Sequence, residues 1–184
     1  MRRSYAILIT LLCMLPGCAS GGATVFTAVT SSPGGDLEGL ERGYGLELAR
    51  TGSERPFQMG LGTAVTRHAA DGGVETWLID AYLEPRLAFG GRLQTVVPFV
   101  GARLGGSMVS YSYGELDLEA SSDFGYVYGG NGGAMIFLKR NVAIEAGLGY
   151  YQQSIFSVDE EEVAFESKGD GSRMQLGLGL RWGR

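Results

Sequence analysis

The feature that most constrains this chain is a strict alternation of residue types within the stretch GGAMIFLKRNVAIEAGLGYY, residues 132–151. Because successive side chains of an extended strand point to opposite faces, a period of two predicts a β-strand with two different faces. One predicted face is apolar throughout and consists of Val142, Ile144, Ala146, Leu148 and Tyr150. The other face consists of Ala143, Glu145, Gly147, Gly149 and Tyr151.

The chemistry of these two faces predicts where the strand lies. A soluble antiparallel sheet packs its apolar face on a core and turns its polar face to water. Here the second face combines glycines with a single charge, which is typical of the lining of a narrow closed barrel whose apolar side faces lipid. The basic segment Lys139-Arg140-Asn141 precedes the strand and reads as a tight turn. The unit is therefore predicted to be a transmembrane β-hairpin.

Composition agrees with a single barrel domain. The chain has 184 residues, of which 31 are glycine, well above the average of about 7%. No apolar run of about 18 residues follows the N-terminus, which excludes helical membrane spans. A mean hydropathy of only +0.05 is compatible with a barrel, because apolar and polar residues alternate along each strand.

The N-terminus predicts export. Arg2 and Arg3 form a basic region, and an apolar segment of signal-peptide length, YAILITLLCML, follows at residues 5–15. The sequence Leu15-Pro16-Gly17-Cys18 then resembles the bacterial lipobox, which implies that Cys18 is acylated and becomes the mature N-terminus. Ordinary cleavage near Ala19 or Ser20 is the alternative. The predicted organisation is a signal peptide at 1–17 and a barrel domain at 18–184, with 18–22 as a tether.

Cysteine and histidine are too scarce for most site chemistry. Cys13 lies in the predicted signal peptide, so a chain processed at Cys18 keeps no second cysteine for a disulfide or a thiol nucleophile. His68 is the single histidine. We therefore expect no metal site, no cofactor and no catalytic residue.

Eight strands are predicted from the alternation and the turn residues between them. Connections after the second, fourth and sixth strands are short, whereas most of the others are longer, as in bacterial outer-membrane barrels with both termini in the periplasm. The predicted fold is all-β, an eight-stranded antiparallel up-and-down transmembrane β-barrel. The predicted strands are Ala23–Thr30, Arg42–Thr51, Pro56–Arg67, Val74–Leu87, Leu93–Gly105, Asp123–Leu138, Asn141–Phe156 and Ser172–Gly183.

Two segments resemble a known family. The run VPFVGARLG at residues 97–105 is similar to the "PYvGaglG" strand of small outer-membrane barrels of the OmpA/OmpX-like type in the porin superfamily. Residues 129–151 resemble the glycine-rich strand, short turn and strand that follow it, and the resemblance covers about residues 42–183. It implies a non-enzymatic surface protein of the bacterial outer membrane, with outer-membrane lipid and the barrel-assembly machinery as partners. The chain departs from the family by ending on Gly183-Arg184 after Trp182.

The alternation also sorts the charged and aromatic residues. An eight-stranded barrel is just wide enough to be filled by side chains, and an isolated buried charge costs several kcal/mol or more, so lumen charges must pair. We expect a structural salt-bridge plug, with Glu145 and Arg181 as one pair; a gated ion path is the alternative. The predicted lumen charges are Glu47, Asp80, Glu84, Arg86, Arg103, Glu145 and Arg181. Near predicted strand ends, Trp77, Tyr150 and Trp182 are assigned to aromatic girdles.

Charge is segregated between the two ends of the predicted barrel. The predicted long connections and adjoining residues hold fourteen acidic and two basic residues, a net charge of −12, whereas the short turns are basic. This charge disfavours nucleic acid as a partner. The run Asp159, Glu160, Glu161 and Glu162 is a weak candidate for a Ca²⁺ or Mg²⁺ site, because hard cations prefer oxygen ligands.

Two alternative functions remain open from the residues. A rim-site lipid hydrolase would use His68 near Asp71 with Ser107, Ser110 or Ser112 as the nucleophile, although no local hydrolase signature accompanies them. A lipocalin-like periplasmic lipoprotein would carry an apolar ligand in a soluble eight-stranded barrel. That reading requires an apolar lumen, whereas the alternation predicts a polar one.

The signal-peptide analysis predicts that Cys18→Ala, placed behind a substitute cleavable signal, removes the acyl group from the mature protein. Metabolic labelling with a radioactive fatty acid and intact-mass measurement would detect that loss, and Cys13→Ala is the matched control because Cys13 lies in the predicted signal peptide. An unlabelled wild-type protein with an unmodified Ala19 or Ser20 terminus would show ordinary cleavage instead.

Overall fold

The protein forms a closed barrel of eight strands. A computed structural model describes residues 22–35, 37, 39–52, 56–70, 74–90, 94–113, 122–159 and 164–183. Each strand pairs antiparallel with the next, and the eighth pairs with the first. The strands are β1 Ala23–Gly35, β2 Gly43–Thr51, β3 Phe57–Ala70, β4 Val74–Ala88, β5 Val96–Tyr113, β6 Ser122–Lys139, β7 Val142–Asp159 and β8 Ala164–Gly183.

Closure depends on the pairing of the two terminal strands. β1 and β8 are in register from the Ala23–Gly183 pair to the Gly35–Gly171 pair. This pairing leaves no free sheet edge, so the backbone N–H and C=O groups of the wall are satisfied within the barrel. The predicted fold class, with its strand number and order, is confirmed.

The burial of side chains alternates along the strands and shows that the apolar face is on the outside. On β8, Gln175 is buried, whereas its neighbours Met174 and Leu176 are exposed. Exposed leucines from several strands form a continuous outer belt: Leu46, Leu61, Leu83, Leu104, Leu148, Leu176, Leu178 and Leu180. Such a belt is favourable against hydrocarbon and unfavourable against water. A lipocalin-like carrier would have the opposite arrangement, with apolar side chains in the lumen and polar side chains outside.

The two ends of the barrel differ in their connections. At one end, which we call the turn end, the connections span residues 52–56, 89–95 and 140–141. β1 begins and β8 ends at this end. The turn at Arg140-Asn141 is the predicted basic hairpin turn, with a register irregularity between Phe137 and Lys139. The opposite end, the loop end, carries the connections at 36–42, 71–73, 114–121 and 160–163.

The predicted strand bounds are close at the turn end, whereas at the loop end β1, β3, β5, β7 and β8 were predicted too short. The segments Gly106–Ser122 and Ser157–Gly171 were expected to be loops, but β5 continues to Tyr113 and β8 already begins at Ala164. Those expectations were wrong because backbone pairing continues above the apolar belt, where the outer face no longer needs apolar residues. The hydrophobic alternation therefore stops before the strands do.

Glycines inside the barrel make room for large side chains. A Cβ at Gly105 would lie 2.8 Å from the Cβ of Tyr82, and one at Gly62 would lie 2.5 Å from the Tyr82 hydroxyl oxygen. A Cβ at Gly149 would collide with the ring of Tyr151 in the same way. The glycine-rich inner face predicted from sequence is therefore the space in which the tyrosine rings lie. No helix among the described residues is long and apolar enough to cross a membrane.

The outer belt predicts a position-dependent cost for charge. Leu178→Arg, at a position that is 62% exposed in the belt, should lower the free energy of unfolding by about 2–4 kcal/mol if the belt faces lipid. Ser172→Arg lies nearer the loop end of the same strand on the same outer face, where the cost falls to about 0–1 kcal/mol. Urea unfolding in lipid vesicles would measure both; equal costs would contradict a lipid-facing belt.

Candidate functional site: the lumen charge network

Charged residues occupy the middle of the lumen because single strands present them at alternate positions. β4 is the clearest case, since its inward side chains between Leu78 and Ala88 change from apolar to charged and back to apolar. From the loop end to the turn end, these buried residues are Leu78, Asp80, Tyr82, Glu84, Arg86 and Ala88. The sequence of one strand therefore sets the layers of the lumen.

Arg103 on β5 lies at the centre of the network. Its Nε and Nη2 atoms donate to Oε2 of Glu84 at 2.9 and 2.7 Å, and Nη2 also donates to both carboxylate oxygens of Glu47 at 3.0–3.1 Å. The guanidinium carbon lies 3.7 Å from the ring centroid of Tyr82 and 4.6 Å from that of Tyr151. Two carboxylates and two aromatic faces thus hold a single cation, which favours a fixed position.

A second group of charges lies toward the turn end. Arg86 donates to Glu84 and, through Nη1, to Oε1 of Glu145 at 2.5 Å, while its guanidinium lies 4.7 Å from the ring centroid of Phe99. The other carboxylate oxygen of Glu145 is 3.5 Å from Nη1 of Arg181. Glu84 therefore links this group to Arg103, because it accepts from both arginines.

A third group lies toward the loop end. Asp80 accepts hydrogen bonds from Arg173 and, at 2.8 Å, from the hydroxyl of Ser107. Gln153 in turn donates to Ser107. Arg173 is 1% exposed and has the largest volume among the fully buried side chains, and its guanidinium lies 5.8 Å from the ring centroid of Tyr151.

The network neutralises itself. Its carboxylates are Glu47, Asp80, Glu84 and Glu145, and its guanidiniums are Arg86, Arg103, Arg173 and Arg181. Four negative and four positive charges give no net charge. Each group is within ion-pair distance of a partner of opposite sign, which offsets the large cost of removing these charges from water.

Apolar layers close the lumen on both sides of the network. Toward the turn end, the layer consists of Ala88, Val97, Phe99, Met135 and Ala143. Toward the loop end, the layer consists of Leu37, Leu78, Val109 and Ile155. In the described part of the chain, a charged layer thus lies between two apolar ones, and the middle of the lumen is lined by charged side chains and not by the apolar surface that a carrier of apolar ligands needs.

The structure places all seven charges selected from the sequence in the lumen, each at most 6% exposed. Sequence reasoning missed Arg173, and it counted Asp123, which is buried in β6, among the residues of the acidic loops. The signal was available, because Arg173 is in the same alternation phase as Gln175 and Arg181. It was overlooked because the preceding residues were assigned to a loop.

The three aromatic residues assigned to girdles lie on the outer face, with exposed fractions of 36% for Trp77, 54% for Tyr150 and 43% for Trp182. Trp182 is at the turn end of β8, but Tyr150 lies midway along β7, because β7 continues to Asp159. Further outward tyrosines toward the loop end were not selected from the sequence: Tyr44, Tyr126 and Tyr128. Cys18 and Glu160, Glu161 and Glu162 lie outside the described residues, and Asp159 is the last residue of β7.

His68 was assigned to a loop, and that assignment is wrong. It lies in β3 with its ring buried, because β3 extends to Ala70. Its Nδ1 is 3.0 Å from the carbonyl oxygen of Glu41, and its Nε2 is 3.3 Å from the hydroxyl of Thr66. Ser107 bonds to Asp80 and Gln153 instead. Of the three serines considered as nucleophile, Ser107 is therefore directed at Asp80 and Gln153 and not at His68.

Within the described part of the chain, no group of three or more histidine, cysteine or acidic side chains could hold a metal ion. The carboxylates that come close together in the lumen all accept from arginine. Their lone pairs are therefore directed at guanidinium groups.

Comparison with solved structures identifies the fold. Neisserial surface protein A (NspA) superposes with a TM-score of 0.66 at 19% identity, over 89% of this chain and 97% of that one. OprG of Pseudomonas aeruginosa gives 0.53 at 13%, over 90% and 96% of the two chains. Ail, the attachment invasion locus protein of Yersinia pestis, gives 0.52 at 15%, over 89% and 100%. No protein-family model and no curated protein sequence matches the chain.

These similarities, together with the outward apolar belt, define the class of protein. The chain has the fold of the small eight-stranded outer-membrane β-barrels, as the family resemblance implied. The identities are low, so the comparison shows the shared fold and leaves the individual role to this chain's own residues.

The network predicts a large difference between two arginines. Arg103→Met leaves Glu47 and Glu84 with too few buried cations and should lower the free energy of unfolding by about 3–5 kcal/mol. Arg67→Met is the matched control, because Arg67 forms its ion pair with Glu75 in an exposed position where water screens the charge. Urea unfolding in lipid vesicles would compare the free energies of unfolding of the two variants. Adding Glu84→Gln to Arg103→Met should restore part of the lost stability. A double variant that is no more stable than Arg103→Met would contradict the pairing of Arg103 with Glu84.

Proposed function

We propose that the protein is a non-enzymatic surface protein of the bacterial outer membrane, in which the barrel is an anchor and the acidic loops make contacts outside the cell. The observation that carries the proposal is the closed lumen. Eight mutually neutralising charges lie between two apolar layers, so the interior provides neither a path for solutes nor a cavity for an apolar ligand. The loop end is then the part of the protein that is accessible for contacts outside the cell.

The location follows from the same facing. The apolar belt is on the outside and the polar network inside, as expected for a barrel in lipid. The solved barrels of the same fold include outer-membrane proteins such as OprG. The connections at the turn end carry a net positive charge, those at the loop end carry a net negative charge, and several strands extend beyond the apolar belt at the loop end, which supports an orientation with the loop end outside the cell.

Charge indicates the chemistry of the external partner. One of the similar barrels, Ail, has been solved with the heparin analogue sucrose octasulfate, which is a polyanion. The loop-end connections at 36–42, 71–73, 114–121 and 160–163 hold ten acidic residues and one basic residue, a net charge of −9, so they would repel such a ligand. We therefore propose a cationic partner, such as a basic protein surface or a polyamine, for these loops.

Neutralising part of one loop tests this proposal in intact cells. Replacing Asp159 and Glu160–Glu162 by Asn and Gln removes four negative charges from the loop after β7 and should weaken binding of fluorescent polylysine to the cell surface, most clearly at low salt. Arg67→Gln with Glu75→Gln is the control, because it removes an exposed ion pair with no net change in charge.

The same cells provide the test of location. The wild type and both variants should fractionate with the outer membrane and migrate differently on gels before and after boiling, since a closed barrel resists detergent until it is heated. Release without detergent would overturn the anchor. Unchanged polylysine binding by a correctly assembled loop variant would overturn the role of the loop.

A further inference from the structure

The turn between β6 and β7 carries two neighbouring cations. We call Lys139, Arg140 and Asn141 the basic turn, and all three side chains are exposed. Within the described ranges, no acidic side chain forms an ion pair with Lys139 or Arg140, whereas the exposed Arg67 at the loop end pairs with Glu75. The two charges of the basic turn are therefore available to a ligand.

Hydrogen bonds on both sides hold the basic turn in place. On one side, the backbone N–H of Phe137 donates to the carbonyl oxygen of Thr95 at 2.7 Å. On the other side, the N–H of Gly183 donates to the carbonyl oxygen of Asn141 at 3.1 Å. β6 and β7 are themselves paired up to the turn. Binding at this place would thus require little ordering of the backbone.

Apolar side chains of the outer face reach the edge of the basic turn. Leu138, which directly precedes Lys139, is 60% exposed, and Ile136 on the same strand is 40% exposed. Val96 of β5 and Trp182 of β8 are exposed on either side of the hairpin. These side chains extend the apolar belt to the turn end. The two cations therefore lie where the hydrocarbon of a bilayer ends and its headgroups begin.

This position and the charge together determine which ligand fits. A zwitterionic phospholipid balances its phosphate with an ammonium group in the same headgroup. Two adjacent cations without an acidic partner therefore favour a headgroup with a net negative charge. The apolar side chains beside the turn favour a ligand that also has acyl chains. A diacyl phospholipid with a net negative charge, such as phosphatidylglycerol, has both features.

We propose that the basic turn is a binding site for an anionic phospholipid of the leaflet at the turn end, with Lys139 and Arg140 at its phosphate. The acyl chains lie against the outward side chains beside the turn: Ile136, Leu138 and Trp182. The proposal rests on the location given under the proposed function, because it requires the barrel to lie in lipid. The connections at the loop end carry a net charge of −9 and repel such a headgroup, so the two ends of the barrel select lipids differently.

The two tryptophans of the chain provide one reporter at each end. Trp182 is paired with Val142, the first residue after the basic turn. Trp77 lies on β4 toward the loop end, with the guanidinium of Arg67 at 6.0 Å from its ring centroid. Trp77→Phe therefore leaves a single tryptophan at the turn end, and Trp182→Phe leaves one at the loop end. Lipids with brominated acyl chains quench a tryptophan that they contact, so quenching measures which lipid lies at each end.

The measurement compares brominated phosphatidylglycerol with brominated phosphatidylcholine in vesicles of both lipids that contain the full mature chain. At low salt, Trp182 should prefer phosphatidylglycerol by at least about fivefold, which is the preference that one basic residue near an anionic surface gives. Trp77 should show no such preference. High salt should weaken the preference at Trp182, because it screens exposed charges.

Two variants with equal net charge locate the site. Lys139→Gln with Arg140→Gln should abolish the preference at Trp182. Arg42→Gln with Arg67→Gln is the matched control, because it removes two exposed positive charges at the loop end, and it should leave the preference unchanged.

Gel migration before and after boiling shows whether each variant has inserted as a barrel. A wild type that does not insert would overturn the proposed location and the lipid site with it. An inserted wild type without a preference at Trp182, or a preference that the variant of the basic turn retains, would overturn the lipid site alone. Inorganic phosphate should weaken the preference no more than chloride of the same ionic strength does. A larger decrease would indicate a site for free phosphate and would also overturn the lipid site.

Discussion

The structure depends on the neutralisation of charge around Arg103. A guanidinium buried in a barrel interior is tolerable only if carboxylates surround it, and here Glu47 and Glu84, from two other strands, both do so. Because Glu47, Glu84 and Arg103 lie on β2, β4 and β5, their ion pairs form only when these strands are paired in the correct register. The same interactions that are costly to bury therefore favour one closed arrangement over slipped ones, since a one-residue slip would turn the charges toward the outer belt.

The apolar belt and the charge network are two consequences of one alternation. On β8, each outward leucine is followed by an inward residue, so that Leu176, Leu178 and Leu180 meet the surroundings while Gln175 and Arg181 meet the network. The inward glycines between these polar residues on β8, Gly177 and Gly179, leave space for the side chain of Thr27, whereas glycines on other strands, such as Gly62 and Gly149, leave space for the rings of Tyr82 and Tyr151. The narrowness of an eight-stranded barrel thus links the glycine content to the size of the lumen residues.

The fold could be predicted from the sequence because the two faces of each strand differ so clearly within the belt. Val142–Tyr151 alternates without exception, and seven of the eight network charges follow from the same pattern. The pattern weakens above the belt, where both faces of a strand can be polar. For that reason His68 and Arg173 were placed in or near loops. The contact of Arg181 with Glu145 on the adjacent strand agrees with the predicted pair, whereas that of Arg86 with Glu145 was not predicted, because these residues are 59 positions apart and meet only across the lumen.

Under the proposed function, the stability of the protein and its contacts outside the cell depend on different parts of the chain. Stability resides in the wall and the network, where Arg103 and its partners restrict substitution, whereas the loops lie outside both and are free to carry charge of one sign. An excess of acidic residues inside would disrupt the balance of four carboxylates and four guanidiniums. Outside, the same excess is solvated at little cost and attracts cations over the Debye length, about 8–10 Å at physiological salt. The external contacts that we propose for the acidic loops could therefore be altered by substitution without disturbing the network.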